Sequence, residues 1–154
     1  KPPNLMIKKE NGINKYYIID FGIAKKWYSQ KYVKGGDNTY YIINKPSSGE
    51  GTALYKSINA ERASLRIKGS ILSRNEDIEA IGYILMEMSL GELPWKSFDS
   101  GNSEERLKLK LNSNEYIKKI TDDNLKKAIT LMVTNYDKPY DYEPEYKRLL
   151  DLLK

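Results

Sequence analysis

The sequence predicts an α+β fold that is mostly α, and three observations carry that expectation. Two short apolar runs, Leu5-Met6-Ile7 and Tyr16-Tyr17-Ile18-Ile19, flank a polar stretch containing Asn11-Gly12, which is the pattern of a β-hairpin. Further on, Ile78, Ile81, Leu85 and Met88 recur at helical spacing. Between these two features, residues 28–56 show no clean period and carry Gly35-Gly36, Pro46, Ser47-Ser48-Gly49 and Gly51. A loop of that length inside a compact domain is usually functional or mobile. At 154 residues, one domain spanning 1–154 is expected.

Each element has a local reason. Asn-Gly is the strongest short-range hairpin signal because both central residues of a type I′ turn need positive φ. Ser73-Arg74-Asn75-Glu76 reads as a capping box, with a hydroxyl to cap and a carboxylate three residues on. It opens the most secure helix, widened by Ile84 and ending near Gly91 and Pro94. So much of its surface is apolar that it belongs at the centre of the fold. A more polar helix is expected over Ser103–Lys119. Thr121 is expected to cap a third helix, with Leu125, Ile129 and Met132 facing inward. Pro144 suits the first turn of a last helix whose Tyr146, Leu149, Leu150 and Leu153 form one face. The order is thus a small hairpin, a long loop, then about four helices.

Composition excludes several kinds of chemistry. The chain has no Cys and no His, which removes disulfides, thiolate and histidine metal sites, cysteine nucleophiles and any histidine general base. Catalysis here must use Asp, Glu, Lys, Arg, Tyr, Ser, Thr or Asn. No apolar run approaches the roughly 18 residues of a spanning helix, so no membrane partner is expected. The net charge is +5, but the 26 basic and 21 acidic residues are interspersed. Tyr28, Tyr32, Tyr40 and Tyr41 alternate with Lys31, Lys34 and Lys45, a pattern able to stack on bases. Nucleic-acid binders carry a denser basic stripe, so a nucleic-acid partner is disfavoured.

The residues that carry chemistry sit at the two ends of the expected hairpin. Lys1-Pro2-Pro3-Asn4 precedes the first strand and Asp20-Phe21-Gly22 ends the second. A hairpin returns the chain and sets the Asn4 amide beside the Asp20 carboxylate. One carboxylate with one amide oxygen suits Mg²⁺, a hard cation that keeps several waters. Lys1 is near enough in sequence to reach the same anionic ligand. Each piece alone is weak, since Asp-Phe-Gly is also an ordinary strand-ending turn. As an ordered set they match the catalytic and metal-binding loops of protein kinases.

The likeness continues downstream. Gly51-Thr52-Ala53-Leu54-Tyr55-Lys56-Ser57-Ile58-Asn59 resembles the end of an activation segment of the casein kinase 1 type, where most kinases have Ala-Pro-Glu. Ile18 to Lys26, Ser73 to Tyr83, Leu93-Pro94-Trp95, Asp137-Lys138-Pro139 and Tyr142 to Leu150 are similar to the same group. The related vaccinia-related kinases come second, since they tend to have Tyr in place of Phe21. The resemblance implies a protein-kinase-like C-lobe, a Ser/Thr protein kinase using ATP and Mg²⁺, and an intracellular protein, cytoplasmic or nuclear.

The resemblance also implies roles. Asp20 holds the Mg²⁺ that bridges the nucleotide phosphates, Asn4 holds a second Mg²⁺, and Lys1 neutralises the transferred phosphoryl group. Thr52 bonds the catalytic base and Lys1 and helps seat the substrate hydroxyl. Asp77 is structural, tying the central helix to the catalytic loop. Arg74, Lys25 and Lys26 are either an anion site for acidic or phosphorylated protein substrates or solvated surface charge. Trp95 is expected in the core. Ser29, Thr39, Ser47 and Ser48 are candidate phosphosites in the long segment.

In the kinase template the catalytic Asp stands five residues before the metal-binding Asn, which falls two positions before Lys1. No Gly-x-Gly-x-x-Gly loop or Val-Ala-Ile-Lys strand occurs among the 154 residues. The chain is therefore expected to be part of a longer kinase, inactive alone because the ATP-covering N-lobe is missing. The alternative is a catalytically dead kinase-like binding module. In either case part of the Ile78/Ile81/Leu85/Met88 stripe is expected to lack cover. That costs about 25 cal/mol per Å² of re-exposed apolar surface.

Overall fold

A computed structural model describes residues 1–22, 24, 32–34, 40–42, 51–67, 72–98, 101–138 and 143–154. The chain divides into two compact units, Lys1–Ile43 and Asn44–Lys154. The described elements are consistent with the mostly helical α+β class.

In the first unit, a 3₁₀ turn at Pro2–Asn4 leads into strand β1 (Leu5–Glu10), which pairs antiparallel with β2 (Ile13–Ile18). Asn11 and Gly12 have φ of 51° and 81°, the two left-handed residues that a type I′ connection needs. This turn fixes the register, with Glu10 opposite Ile13 and Leu5 opposite Ile18. Alternation then puts Leu5, Ile7, Tyr16 and Ile18 on one face, while Lys8 and Lys15 on the other pair with Glu10. A second short antiparallel pair joins β3 (Tyr32–Lys34) to β4 (Tyr40–Ile42). The rest of the expected 28–56 loop up to Glu50, with its four candidate phosphosites, lies outside the described residues.

The second unit is helical. It holds α1 (Ile58–Ser64), α2 (Asn75–Leu90), α3 (Ser103–Leu111), α4 (Asn114–Ile117), α5 (Asp123–Val133) and α6 (Tyr146–Leu152). Its core gathers Tyr83 and Met86 of α2, Leu93 and Trp95 just beyond, Ile117 of α4, Ile120, the Ala128/Ile129/Met132/Val133 face of α5 and Leu149 of α6. Trp95 is fully buried, as expected, and meets Tyr83 edge-on at 4.9 Å between centroids. The helices α2 and α5 cross where Gly82 lies. A Cβ there would stand 2.8 Å from Val133 Cγ1, so only glycine permits this approach.

At the start of α2, whose N-cap Arg74 makes no side-chain cap bond, Ser73 and Glu76 make part of the capping box. Ser73 Oγ accepts from the Asn75 N–H at 3.1 Å, and the Ser73 N–H donates to the Glu76 carboxylate. The helix closes at Gly91, whose φ is 85° and whose N–H donates to Glu87 O at 2.8 Å.

On α2 the buried residues include Glu79, Gly82, Tyr83, Ile84 and Met86, while Ile78, Ile81 and Leu85 pack half-buried against the core and Met88 is 75% exposed, so part of the expected stripe lacks cover. Three other expectations about helices need correction. The span Ser103–Lys119 is two helices, broken at Asn112-Ser113. Asp122, not Thr121, caps α5, its Oδ1 accepting from Leu125 N at 2.9 Å. In α6 the chain enters through Pro144 and Glu145, and of the four expected face residues only Leu149 is buried.

Candidate functional site

The hairpin ladder continues one step past its last strand pair, because the Ile19 N–H donates to Asn4 O at 2.9 Å. That bond fixes Asn4 beside the end of β2. Asn4 is set from the other side by the 3₁₀ turn, in which its own N–H donates to Lys1 O at 2.9 Å. Pro2 fits the first position of such a turn, where its ring pre-sets φ and no N–H is needed.

Asp20 then leaves the strand in the left-handed region, at φ 67°. A non-glycine residue there is uncommon, and such backbone outliers collect at ligand clamps and active sites. Asn4 Nδ2 donates to Asp20 Oδ2 at 3.4 Å across the mouth of the hairpin. The structure therefore brings together the two side chains at the ends of the hairpin, and both face solvent. The amide nitrogen faces the carboxylate. A cation held by both would take the amide oxygen, which would require the Asn4 carboxamide to turn over. One carboxylate and one amide leave most of an octahedral shell to water and phosphate oxygens, as Mg²⁺ prefers. Among the described residues no group of three acidic side chains gathers as a self-sufficient metal cage.

Lys1 is exposed, and its ammonium has no hydrogen bond or ion pair among the described residues. Phe21 is also exposed, with its carbonyl accepting from the Ala24 N–H at 3.0 Å. Lys25 and Lys26 lie outside the described residues.

The other candidates belong to the second unit. Thr52 is exposed and opens the 3₁₀ turn Ala53–Tyr55, its carbonyl accepting from the N–H groups of Tyr55 and Lys56 at 3.0 and 3.1 Å. Arg74 is half-buried just before α2. Asp77, in the first turn of that helix, reaches solvent, yet the crowding chain around it desolvates its carboxyl and raises its pKa. Its carboxylate has no hydrogen bond or ion pair among the described residues.

One tie of α2 to the segment before α1 runs through Glu79. Its Oε1 accepts from the Ile58 N–H at 2.7 Å and from the Tyr83 hydroxyl.

Sequence reasoning missed a buried polar cluster. Glu61, Arg106 and Lys110 are all buried, with at most 1% exposure. Arg106 Nε and Nη2 donate to the two Glu61 oxygens at 2.7 and 3.1 Å, a bidentate pair. Arg106 also reaches Phe98 O and Ser103 Oγ. Lys110 Nζ donates to Glu61 Oε1 at 3.1 Å, to Lys56 O at 2.6 Å and to Ala53 O at 3.3 Å. It stands 5.2 Å from the Tyr83 ring centre and 5.5 Å from that of Trp95.

Burial pushes the Glu61 carboxyl up, but its two cations outweigh that and hold it below the ordinary value. Burial brings Lys110 down to about 8 against the pull of Glu61, and burial raises Glu79 to about 8 despite its two hydrogen bonds. The only sequence signal was Arg106 and Lys110 one helical turn apart, which looks like a solvated face.

No protein-family model matches the chain. Among the described residues, no helix is long and apolar enough to cross a membrane.

Proposed function

We propose that this chain is the C-lobe portion of a serine/threonine protein kinase of the casein kinase 1 type. Such a kinase transfers the γ-phosphoryl group of ATP to a protein hydroxyl. The observation that carries this reading is the approach of Asn4 to Asp20 at 3.4 Å, with Asp20 held at positive φ. Two oxygen-bearing side chains at one solvent-open point are the arrangement by which a Mg²⁺–nucleotide is held. Positioning and charge neutralisation are most of what phosphoryl transfer asks of a protein.

Asp20 is assigned to the ion bridging the phosphates and shares a second ion with Asn4, and Lys1 is assigned to the transferred group. Mg²⁺ supplies charge neutralisation at the phosphate oxygens when bound. Thr52 is assigned to the substrate hydroxyl. Arg74, Lys25 and Lys26 are assigned to acidic or phosphorylated regions of the protein substrate.

In the kinase template the proton-accepting Asp stands five residues before the metal-binding Asn, which is the position two ahead of Lys1. The codons upstream of Lys1 test the reading. An Asp two residues before Lys1, preceded by a strand Lys and a glycine-rich loop, is the expected result. A stop or start codon in that place overturns it in favour of a catalytically dead binding module.

A further inference from the structure

Besides its packed side chains, the stretch from Ala53 to Ile58 has its backbone held by side chains from distant elements. Trp95 Nε1 donates to Leu54 O at 2.8 Å. Glu79 accepts from Ile58 N, and Glu87 accepts from the Tyr55 hydroxyl at 2.6 Å. Lys110 by itself contacts two carbonyls of the stretch, those of Ala53 and Lys56, and so bridges points of its backbone three residues apart.

A fully buried ammonium is costly unless every proton is satisfied. Lys110 spends its three donors on those two carbonyls and on Glu61. The Glu61 carboxylate is in turn held by the Arg106 fork. A site built this completely fixes its acceptors in one place. A shorter or apolar residue at 110 leaves both carbonyls without this donor and leaves Glu61 Oε1 with Arg106 Nε alone.

We propose that Lys110 is a positioning residue: it locks the backbone of Ala53–Lys56, and with it Thr52, in the conformation that receives the protein substrate. The assignment of Thr52 to substrate rests on the kinase reading above. The lock itself does not depend on Asn4, Asp20 or any metal.

Lys110 on α3 is faced by Glu61 of α1, by Glu79 and Tyr83 of α2, by Trp95 and by Arg106 of its own helix. Loss of the Lys110 proton therefore changes the hydrogen bonds at two carbonyls that are separate in sequence. The test follows the carbonyl ¹³C resonances of Ala53 and Lys56 and the Thr52 amide in the full 154-residue chain from pH 6 to 10.

All three are expected to shift with one midpoint, shared with the Lys110 side-chain ¹⁵N resonance. The shift should persist in Glu79→Gln and vanish in Lys110→Met. In Lys110→Met, the Tyr55 and Lys56 amides should also exchange with solvent about tenfold faster, while α2 and α5 core amides keep their protection.

Separate midpoints for the carbonyls and Lys110 Nζ in the wild-type chain overturn the proposal even if the Met variant does not fold. So does an unchanged titration in that variant. Failure here leaves the upstream-codon result untouched, and failure of that result leaves the lock untouched.

Discussion

Glu79 is the residue whose chemistry the fold alters most visibly. Burial raises its carboxyl from 4.5 to about 8 in the folded chain, and its hydrogen bonds to Ile58 N–H and Tyr83 only partly oppose this. Between those values the unfolded chain has released the proton and the folded chain keeps it. Stability from this group is full below about pH 4.5 and is lost as pH rises toward 8. The slope is at most about 1.4 kcal/mol per pH unit. Lys110 acts in the opposite sense, since its folded value of about 8 lies below the ordinary 10.5, so its contribution rises with pH beyond 8. Urea unfolding from pH 5 to 10 should therefore show a stability minimum near pH 8 from these two groups. Glu79→Gln, which keeps an acceptor for Ile58, should flatten the acid-side limb; an unchanged limb contradicts the assignment. None of this was legible in the sequence. Glu79 in an apolar helix reveals its burial only when Ile58, 21 residues away, arrives in space, and the two cations Arg106 and Lys110 only when Glu61, 45 and 49 residues away, does.

Among the elements, α2 shows both what local sequence determines and where it stops. Its start at a Ser-x-x-Glu box and its end at a glycine follow from nearest-neighbour bonding, and both were legible. Its inward face was not, because apolar residues ring most of the helix and periodicity alone cannot choose among them. The crossing with α5 chooses, since α5 approaches on the side where Gly82 has no Cβ. Gly82→Ala should accordingly destabilise the chain by about 1–3 kcal/mol through overpacking, despite alanine's better helix propensity. Chemical denaturation measures it; a stabilised variant would show that the helices separate at no cost. The cap of α5 gives a paired test. Asp122→Ala should lose about 1 kcal/mol and Thr121→Ala almost nothing. Both residues are plausible caps by type, and the carboxylate that reaches Leu125 N decides between them.

For the whole molecule, the distribution of apolar surface sets the behaviour to be expected in solution. Met88 is 75% exposed on α2, and Ile7, Tyr16 and Ile18 are exposed on one face of the hairpin. A two-stranded hairpin is marginal without cover, and a contiguous apolar surface tends to associate. Sedimentation of the purified chain should show mass rising with concentration, and its thermal midpoint should depend on concentration. A sharp, concentration-independent transition of a monomer contradicts this. At this scale the hairpin and its Asn-Gly turn were legible because they are local. So was the meeting of Asn4 with Asp20, because a type I′ register leaves little freedom in what faces what. The division into two units was not, since it depends on contacts rather than on pattern. The central claim is that Asn4 and Asp20 share a divalent cation, and Mn²⁺, a paramagnetic substitute for Mg²⁺, tests it most directly. Titrated into the ¹⁵N-labelled chain, Mn²⁺ should saturably broaden the Asn4 side-chain amide and the backbone amides around Asp20 before any others, and Asp20→Asn should abolish the effect. Broadening that begins at surface acids elsewhere, or that survives Asp20→Asn unchanged, would contradict it.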